Sequence, residues 1–588
     1  MTALFGIVIP PALSACLWNK LNHKKVEARF WLASYGISLL CLYFLCNIFL
    51  ALVLGYSDSA VRLMNTDFSF ALKYFALASG FALIAPLILF ILTRKSRFKS
   101  SSQKSKSFAH WWGALCLLAL VLFGLTASMG LGNTFWCDEI FTIKMVNRTP
   151  GEIIRNTATD VHPPLYYLCS WLLVQLFGTS PLVYRLASLV PYAFVLVLAL
   201  TFIYRELGKE AAAILIVFSS LLSTSVRYNL EARMYALGAF FVLLGFYQLR
   251  QILIKNRPVH YVLFCLACLS AAYTQYYALI AVAFFYVTLL CYALRHKKYL
   301  KSTLITYGVT VAVYLPWLLV LLNTLAKSVG DHWQKFIPDL SLCLKYMFGE
   351  EIEGVVLFSV SSCLVLWVTL RRIGVLQLKE DTTGRQDVYF DFKNIHFTAE
   401  NVWVLAGLAS ILGVCLFGVG ISKLLRPFML TRYMLLVAGV SWLLVGWAVS
   451  QSKHKSRWCA FLLVLVLMFS GPKFANRIYT NYENEQKLTL TLSQTQQLKQ
   501  SDVILLNTIV LHQFGLLDYY YGEINDVFVT AETLPKLEED KNYWLLCEAS
   551  AEAELEESFA AQNASLLPVI EDGVIGSGSA WLYKIQIK

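Results

Sequence analysis

Runs of about 20 apolar residues recur along this chain from its N-terminus to about residue 470, and then they stop. Each is long enough to cross a hydrocarbon core of roughly 30 Å at about 1.5 Å of helix rise per residue. A water-soluble core has no use for so much apolar matter: 58% of the 588 residues are hydrophobic and only 15% are charged. The expected fold class is a polytopic α-helical membrane protein. The formal charge of +12 does not point to nucleic acid, because Lys and Arg fall in short clusters between apolar runs, the pattern that orients helices in a bilayer. Most of the 14 Cys lie inside apolar runs (Cys41, Cys46, Cys116, Cys291, Cys363 and Cys415 among them), where Cys behaves as a small hydrophobe, so no disulfide framework is expected. The Cys265-x-x-Cys268 pair has no His or Cys partners nearby and reads as packing.

Placing basic loops on the cytoplasmic side orients the spans. The stretch Arg94 to Lys106 is the strongest inside signal, so a helix over Trp111 to Leu131 delivers Trp136 to Asp160 to the outer face. Pro163 to Phe177 is apolar but too short to span; reading it as an interfacial helix puts Arg205 to Lys209, Arg295 to Lys301, Arg371-Arg372 and His454 to Arg457 all inside. Further spans near 182–204, 211–226, 235–250, 260–275, 277–294, 302–322, 355–370, 402–420, 430–450 and 458–470 bring the total to about fourteen. Four regions follow: extra N-terminal helices over 1–93, a basic cytoplasmic loop over 94–110, a catalytic membrane region over 111–470, and a small extracytoplasmic α/β domain over 471–588. In that last region Val503 to Leu506, Asn542 to Leu546 and Trp581 to Ile587 read as strands.

Ionisable residues at membrane boundaries cost free energy unless they pair or work, and here they gather on the outer face. One loop carries Asp138, Glu139, Asp160 and His162; the start of a later helix carries Arg227, Glu231 and Arg233; Lys327, Asp331, His332 and Lys335 follow Leu322; Lys423, Arg426, Arg432 and Tyr433 lie near residue 425. Carboxylates beside several cations suit a reaction in which a phosphate leaves while a hydroxyl or amine attacks. The carboxylate orients the acceptor or takes its proton, and Arg binds phosphate oxygens. A lipid-linked phosphosugar entering sideways from the bilayer fits such a site.

The bland readings stand beside these. Asp138 and Glu139 alone would pass for solvated loop acids, His162-Pro163-Pro164 for a helix start, and Arg185 and Arg233 either for residues snorkelling to the interface or for phosphate contacts. Trp136 reads as an interfacial anchor. A transporter or flippase for lipid-linked sugars is a rival, but transporters favour charges at the midplane and repeated halves, and none are seen here. A polymerase or ligase using diphosphate-linked glycans is another.

The ordered set Trp136-x-Asp138-Glu139, Thr159-Asp-Val-His-Pro-Pro-Leu-Tyr-Tyr167, Tyr184-Arg185-Leu186, Glu231-Ala-Arg-Met-Tyr235, Arg426-Pro427 and Arg432-Tyr433 resembles the bacterial membrane glycosyltransferases of family 39, of the GT-C fold class. That family includes relatives of protein O-mannosyltransferases and of the aminoarabinose transferase that modifies lipid A. The resemblance covers about residues 110 to 470. It implies inverting transfer from a polyprenyl-phosphate sugar to an extracytoplasmic acceptor at the plasma membrane: a cell-envelope glycan, lipid or protein. By it, Asp138 is the catalytic base or the acid that positions the acceptor and Glu139 its neighbour in acceptor binding, while Arg233, Arg426, Arg432 and Tyr433 contact the donor phosphate. Asp160, His162, Glu231, His332 and Lys335 take supporting places. Some relatives hold a divalent metal near this site; no tight metal-ligand spacing is visible here. Where relatives commonly show Thr-His-Tyr at an outer helix end, this chain reads Thr274-Gln275-Tyr276-Tyr277.

Overall fold

The computed structural model describes residues 102–132, 134–327, 336–380, 386–391, 395–425, 427–494, 502–507, 519, 525–538, 540–547, 552–575 and 578–587. The three N-terminal spans expected before residue 93 therefore lie outside the described residues. Contacts divide the chain into two units at Gly124 and Leu125. In the first, the described part is the leading portion of α1 (Ser102–Met129), an apolar helix.

The second unit is built from helices α2 (Cys137–Val146), α3 (Pro150–Thr157), α4 (Leu165–Phe177), α5 (Pro181–Leu198), α6 (Lys209–Leu221), α7 (Ser223–Leu230), α8 (Tyr235–Lys255), α9 (Pro258–Thr274), α10 (Tyr276–Arg295), α11 (Leu300–Lys327), α12 (Leu340–Tyr346) and α13 (Glu351–Arg372). A small antiparallel ribbon follows, of β1 (Leu376–Glu380) and β2 (Gln386–Phe390), and then α14 (Ala399–Leu424), α15 (Leu435–Gln451) and α16 (Lys455–Gln494). Among the described residues nine helices are long and apolar enough to cross a membrane, and α6 with α7 makes a tenth if the bent pair is one span. A total of fourteen thus goes beyond what the described residues carry: α9 is a shorter apolar helix, as is α4.

The spans differ in how far they are enclosed. α15 is buried along nearly all its length, whereas α11 is mostly exposed. Small residues let the backbones close in around α15: a methyl group on Gly446 would meet the backbone of Ala211 in α6 at 3.1 Å. On α8, Phe246 stacks on Trp403 of α14 at 4.6 Å, and the Trp403 indole donates to the Phe246 carbonyl at 2.9 Å. With lipid in place of water around the bundle, such packing and hydrogen bonding hold the helices together.

One span is broken, where the apolar run gives way to Ser223-Thr224-Ser225. At Leu222 the backbone turns extended and α6 meets α7 at a bend of 67°. The freed Ser223 amide donates to Glu353 Oε1 at 3.1 Å, the Glu350 amide donates to Ser223 Oγ at 3.2 Å, and Ser470 donates to Glu353 at 2.7 Å. Irregular backbone at membrane depth survives only when protein groups satisfy it in this way. Gly349, at φ 125°, makes room for that carboxylate: a side chain there would meet the Glu353 carboxyl carbon at 2.4 Å.

Charged groups separate to opposite ends of α8. Near its C-terminal end, Arg250 pairs with Glu206 and with Glu400 (3.5 Å), Arg372 with Glu400 (3.0 Å), and Lys255 with Glu206 (3.2 Å). The residues before its N-terminal end, Glu231 and Arg233, belong to the other charged group. Two of the four basic clusters, Arg205 to Lys209 and Arg371-Arg372, thus lie in one ion-pair network.

After α16 the chain forms a five-stranded mixed sheet of order β4-β3-β5-β7-β6, with β3 (Val503–Leu506), β4 (Asn525–Phe528), β5 (Tyr543–Cys547), α17 (Glu552–Ala560), β6 (Ala564–Ile575) and β7 (Gly578–Ile587). β3 and β5 are apolar and buried at every position, as suits parallel inner strands. β6 lies at an edge, where Pro568 is tolerated beside a shift in register.

Candidate active site

The loop 130–136 and the first turn of α2 form the floor of the site, and their shape is set by Arg185 of α5. Its guanidinium donates to the carbonyls of Gly130 (3.1 Å), Gly132 and Thr134 (2.8 Å), reaches Glu139 Oε1 at 3.3 Å, and lies over the Phe135 ring at 4.3 Å. Both members of this ion pair are buried. Arg185 is therefore buried and engaged within the protein, where it ties up carbonyls that the turn leaves unpaired. From the other side α16 buttresses the same loop: Glu485 accepts from the Thr134 amide at 3.2 Å, and Asn481 donates to the Met129 carbonyl at 3.1 Å. Tyr519 packs edge-on against Phe135 at 5.5 Å.

Glu139 is turned inward. Besides Arg185, it accepts from the Ala232 amide at 2.9 Å and from the Trp136 amide at 3.3 Å, the latter capping α2. One carboxylate thus fastens α2 to the segment between α7 and α8.

Asp138 points the other way. Its Oδ2 lies 3.4 Å from Arg432 Nη1 and 3.8 Å from Arg233 Nε, and among the described residues it accepts no hydrogen bond. Arg233, buried, also donates to Tyr167 Oη and to the Asp138 carbonyl, both at 3.4 Å. Arg432 lies between two rings, 5.8 Å from that of Trp136 and 5.7 Å from that of Tyr235. Tyr433 stacks on Tyr277 at 4.5 Å. The Thr274-Gln275 departure has a local role: the Gln275 side chain accepts from the amides of Tyr277 and Ala278 and caps α10.

Three further groups face this centre with polar atoms unmatched among the described residues: Asp160 Oδ2, His162 Nδ1 and Glu231 Oε1. Burial raises the Asp160 carboxyl and holds His162 well below the usual imidazole range, so that ring is neutral at physiological pH. Burial, aided by the Glu139 carboxylate, pushes the Glu231 carboxyl up to about 8 against the pull of Arg227, 3.8 Å away. Arg426, His332 and Lys335 lie outside the described residues. Arg227, Glu350 and Lys473 line the adjoining wall: Arg227 sits 4.0 Å from Glu350, and Lys473 3.3 Å from Glu353. Their positions are scattered over 246 residues of sequence, and only a charged residue beside an apolar run could have hinted at them.

Among the described residues no three His, Cys, Asp or Glu side chains gather as metal ligands. The donor set argues the same way, since two guanidiniums already stand where a cation beside Asp138 would sit.

Carboxylates and arginines from separate segments of a broken helical bundle thus meet around Asp138 and Glu139. The chain is similar in fold to ArnT from Cupriavidus metallidurans in its apo state, with a TM-score of 0.52 and 12% identity over 81% of this chain and 98% of that one. The structure of ArnT bound to undecaprenyl phosphate aligns over the same shares with a TM-score of 0.47. No protein-family model and no curated protein matches the chain. At this identity the likeness shows the fold, that of a polytopic helical membrane protein of the GT-C type.

Proposed function

We propose that this chain is a membrane glycosyltransferase of family 39 kind, moving a sugar from a polyprenyl-phosphate donor to an acceptor on the extracytoplasmic side, with inversion. The observation that carries this reading is Asp138 Oδ2 held between Arg233 and Arg432 with no hydrogen-bond donor of its own among the described residues. A donor phosphate presents oxygens that compete with Asp138 for both guanidiniums. As it docks, the carboxylate is released to accept the proton of the acceptor hydroxyl or amine, which attacks the anomeric carbon as the bond to phosphate breaks. The arginines then carry the charge that builds on the leaving phosphate. Buried Glu139 acts by fastening α2, and so by aiming Asp138, rather than by touching the acceptor.

The test is transfer from a lipid-monophosphate sugar by purified protein in Asp138→Asn and Arg432→Lys. Arg432→Lys keeps the charge but loses the planar fork and its seat between Trp136 and Tyr235, so donor KM is expected to rise about tenfold or more with folding unchanged. Wild-type kinetics in that variant would remove Arg432 from the donor site.

Glu231 makes the reading sensitive to pH. The folded protein holds its proton far more tightly than an unfolded chain, so this group's stabilising effect is fully present below the ordinary carboxyl range and is lost as pH rises through about 8. Melting temperature is expected to fall progressively from the ordinary carboxyl range up to about pH 8 and to level off above it, transfer rate to fall as pH passes about 8, and Glu231→Gln to flatten both profiles. An unchanged alkaline limb in that variant would assign the fall to another group.

A further inference from the structure

The two arms of the α6–α7 bend share a small chamber. Ser219 of α6 and Ser225 and Asn229 of α7 line it from the arms, and Tyr192 of α5, Tyr235 of α8 and Trp442 of α15 line it from the neighbouring helices. Its volume is about 40 Å³. A cavity of that size is roomy enough for water and too small for a lipid chain or a sugar, and among the described residues no carboxylate lines it to attract a cation.

The lining is polar, and the protein leaves part of it unmatched. Ser225 Oγ and Tyr235 Oη have no hydrogen-bond partner among the described residues, although the two residues are only 4% and 1% exposed. Hydroxyls so enclosed are out of reach of bulk water, and a buried polar group without a partner is costly. Ser219 Oγ donates to the Ile216 carbonyl at 3.1 Å and can still accept, while the Asn229 amide donates to the Ser219 carbonyl at 2.8 Å. At the break itself the Ser223 amide is served by Glu353; two residues further on, the Ser225 hydroxyl meets no such group among the described residues. We propose that the chamber is a binding site for roughly two or three water molecules, held by Ser225, Tyr235, Ser219 and Asn229, and that this water completes the joint between α6 and α7. A water molecule both donates and accepts, so it matches polar groups on several helices at once. Tyr235 links the joint to the reaction centre, since Arg432 lies over its ring at 5.7 Å.

The experiment is radiolytic hydroxyl labelling of the full-length protein in detergent, read by mass spectrometry of its peptides. Radicals form from bound water as well as from bulk water, so a side chain closed off from solvent gains oxygen only where water lies beside it. Tyr192 and Trp442, 2% and 7% exposed, are expected to be labelled, whereas Phe246 and Trp403, both at 0% and stacked on each other away from the chamber lining, are expected to stay unlabelled. Ser225→Val replaces the hydroxyl with methyl groups and fills the space, and is expected to abolish labelling of Tyr192 and Trp442. Wild-type labelling there no greater than at Phe246 and Trp403 overturns the proposal, and so does labelling that persists unchanged in Ser225→Val. If that variant does not fold, a map of the wild-type protein that resolves ordered solvent takes its place. Solvent density within hydrogen-bond reach of Ser225 Oγ supports the site, and a map with ordered solvent elsewhere but none in the chamber overturns it. Neither measurement reads activity, so the outcome is independent of the proposed transfer.

Discussion

Asp138→Asn is expected to lower sugar transfer by about a thousandfold, in the range general-base removal produces, while leaving the fold intact. The asymmetry follows from geometry. Asp138 lies at the start of α2, half-buried, with its contacts to Arg233 and Arg432 at 3.8 and 3.4 Å rather than at tight ion-pair distance. Asn keeps the shape and loses the proton acceptor. The variant's thermal unfolding in detergent should match wild type within a few degrees. Transfer at wild-type rate from a lipid-phosphate donor would remove Asp138 as base, and a collapse of folding would show that it is structural instead.

The second large effect is the reverse, on stability. Arg185→Ala is expected to cost about 3–5 kcal/mol, because it strands a buried Glu139 carboxylate and leaves the carbonyls of Gly130, Gly132 and Thr134 without their donor. Glu139→Gln should cost less, about 1–3 kcal/mol, since a carboxamide oxygen in the Oε1 place still accepts from the Ala232 amide and Arg185, and only the Trp136 amide loses its acceptor. Comparing unfolding of the two variants with wild type measures the difference. If Arg185→Ala unfolds like wild type yet loses donor binding, Arg185 is a phosphate contact after all.

Asp138 and Glu139 are neighbours in sequence with opposite fates. Their motif marks the place, but successive residues on a helix point about 100° apart, and which of the two faces Arg185 depends on α5, some 46 residues away. Arg233 and Arg432 were both named from their motifs; that they meet on one oxygen of Asp138 is a matter of tertiary packing. Gln275 reads in the sequence as a missing histidine, and in the structure it is a helix cap. The apolar run gives way at the break to Ser223-Thr224-Ser225, a change of composition that does not itself encode a bend, and the groups that satisfy the break, Glu353 and Ser470, come from other helices.

The sequence by itself determined the solvent, the order of the described spans, the strands β3, β5 and β7, and the loop on which the site is built. Hydropathy and period are local properties, and a bilayer leaves a helix as the natural answer to a long apolar run. Only the tertiary structure decided which polar groups are partners: Glu139 with Arg185, Asp138 with Arg233 and Arg432, and Glu353 with Ser223. Pairing of that kind depends on how helices far apart in sequence pack against one another, and residue spacing along one segment carries no record of it.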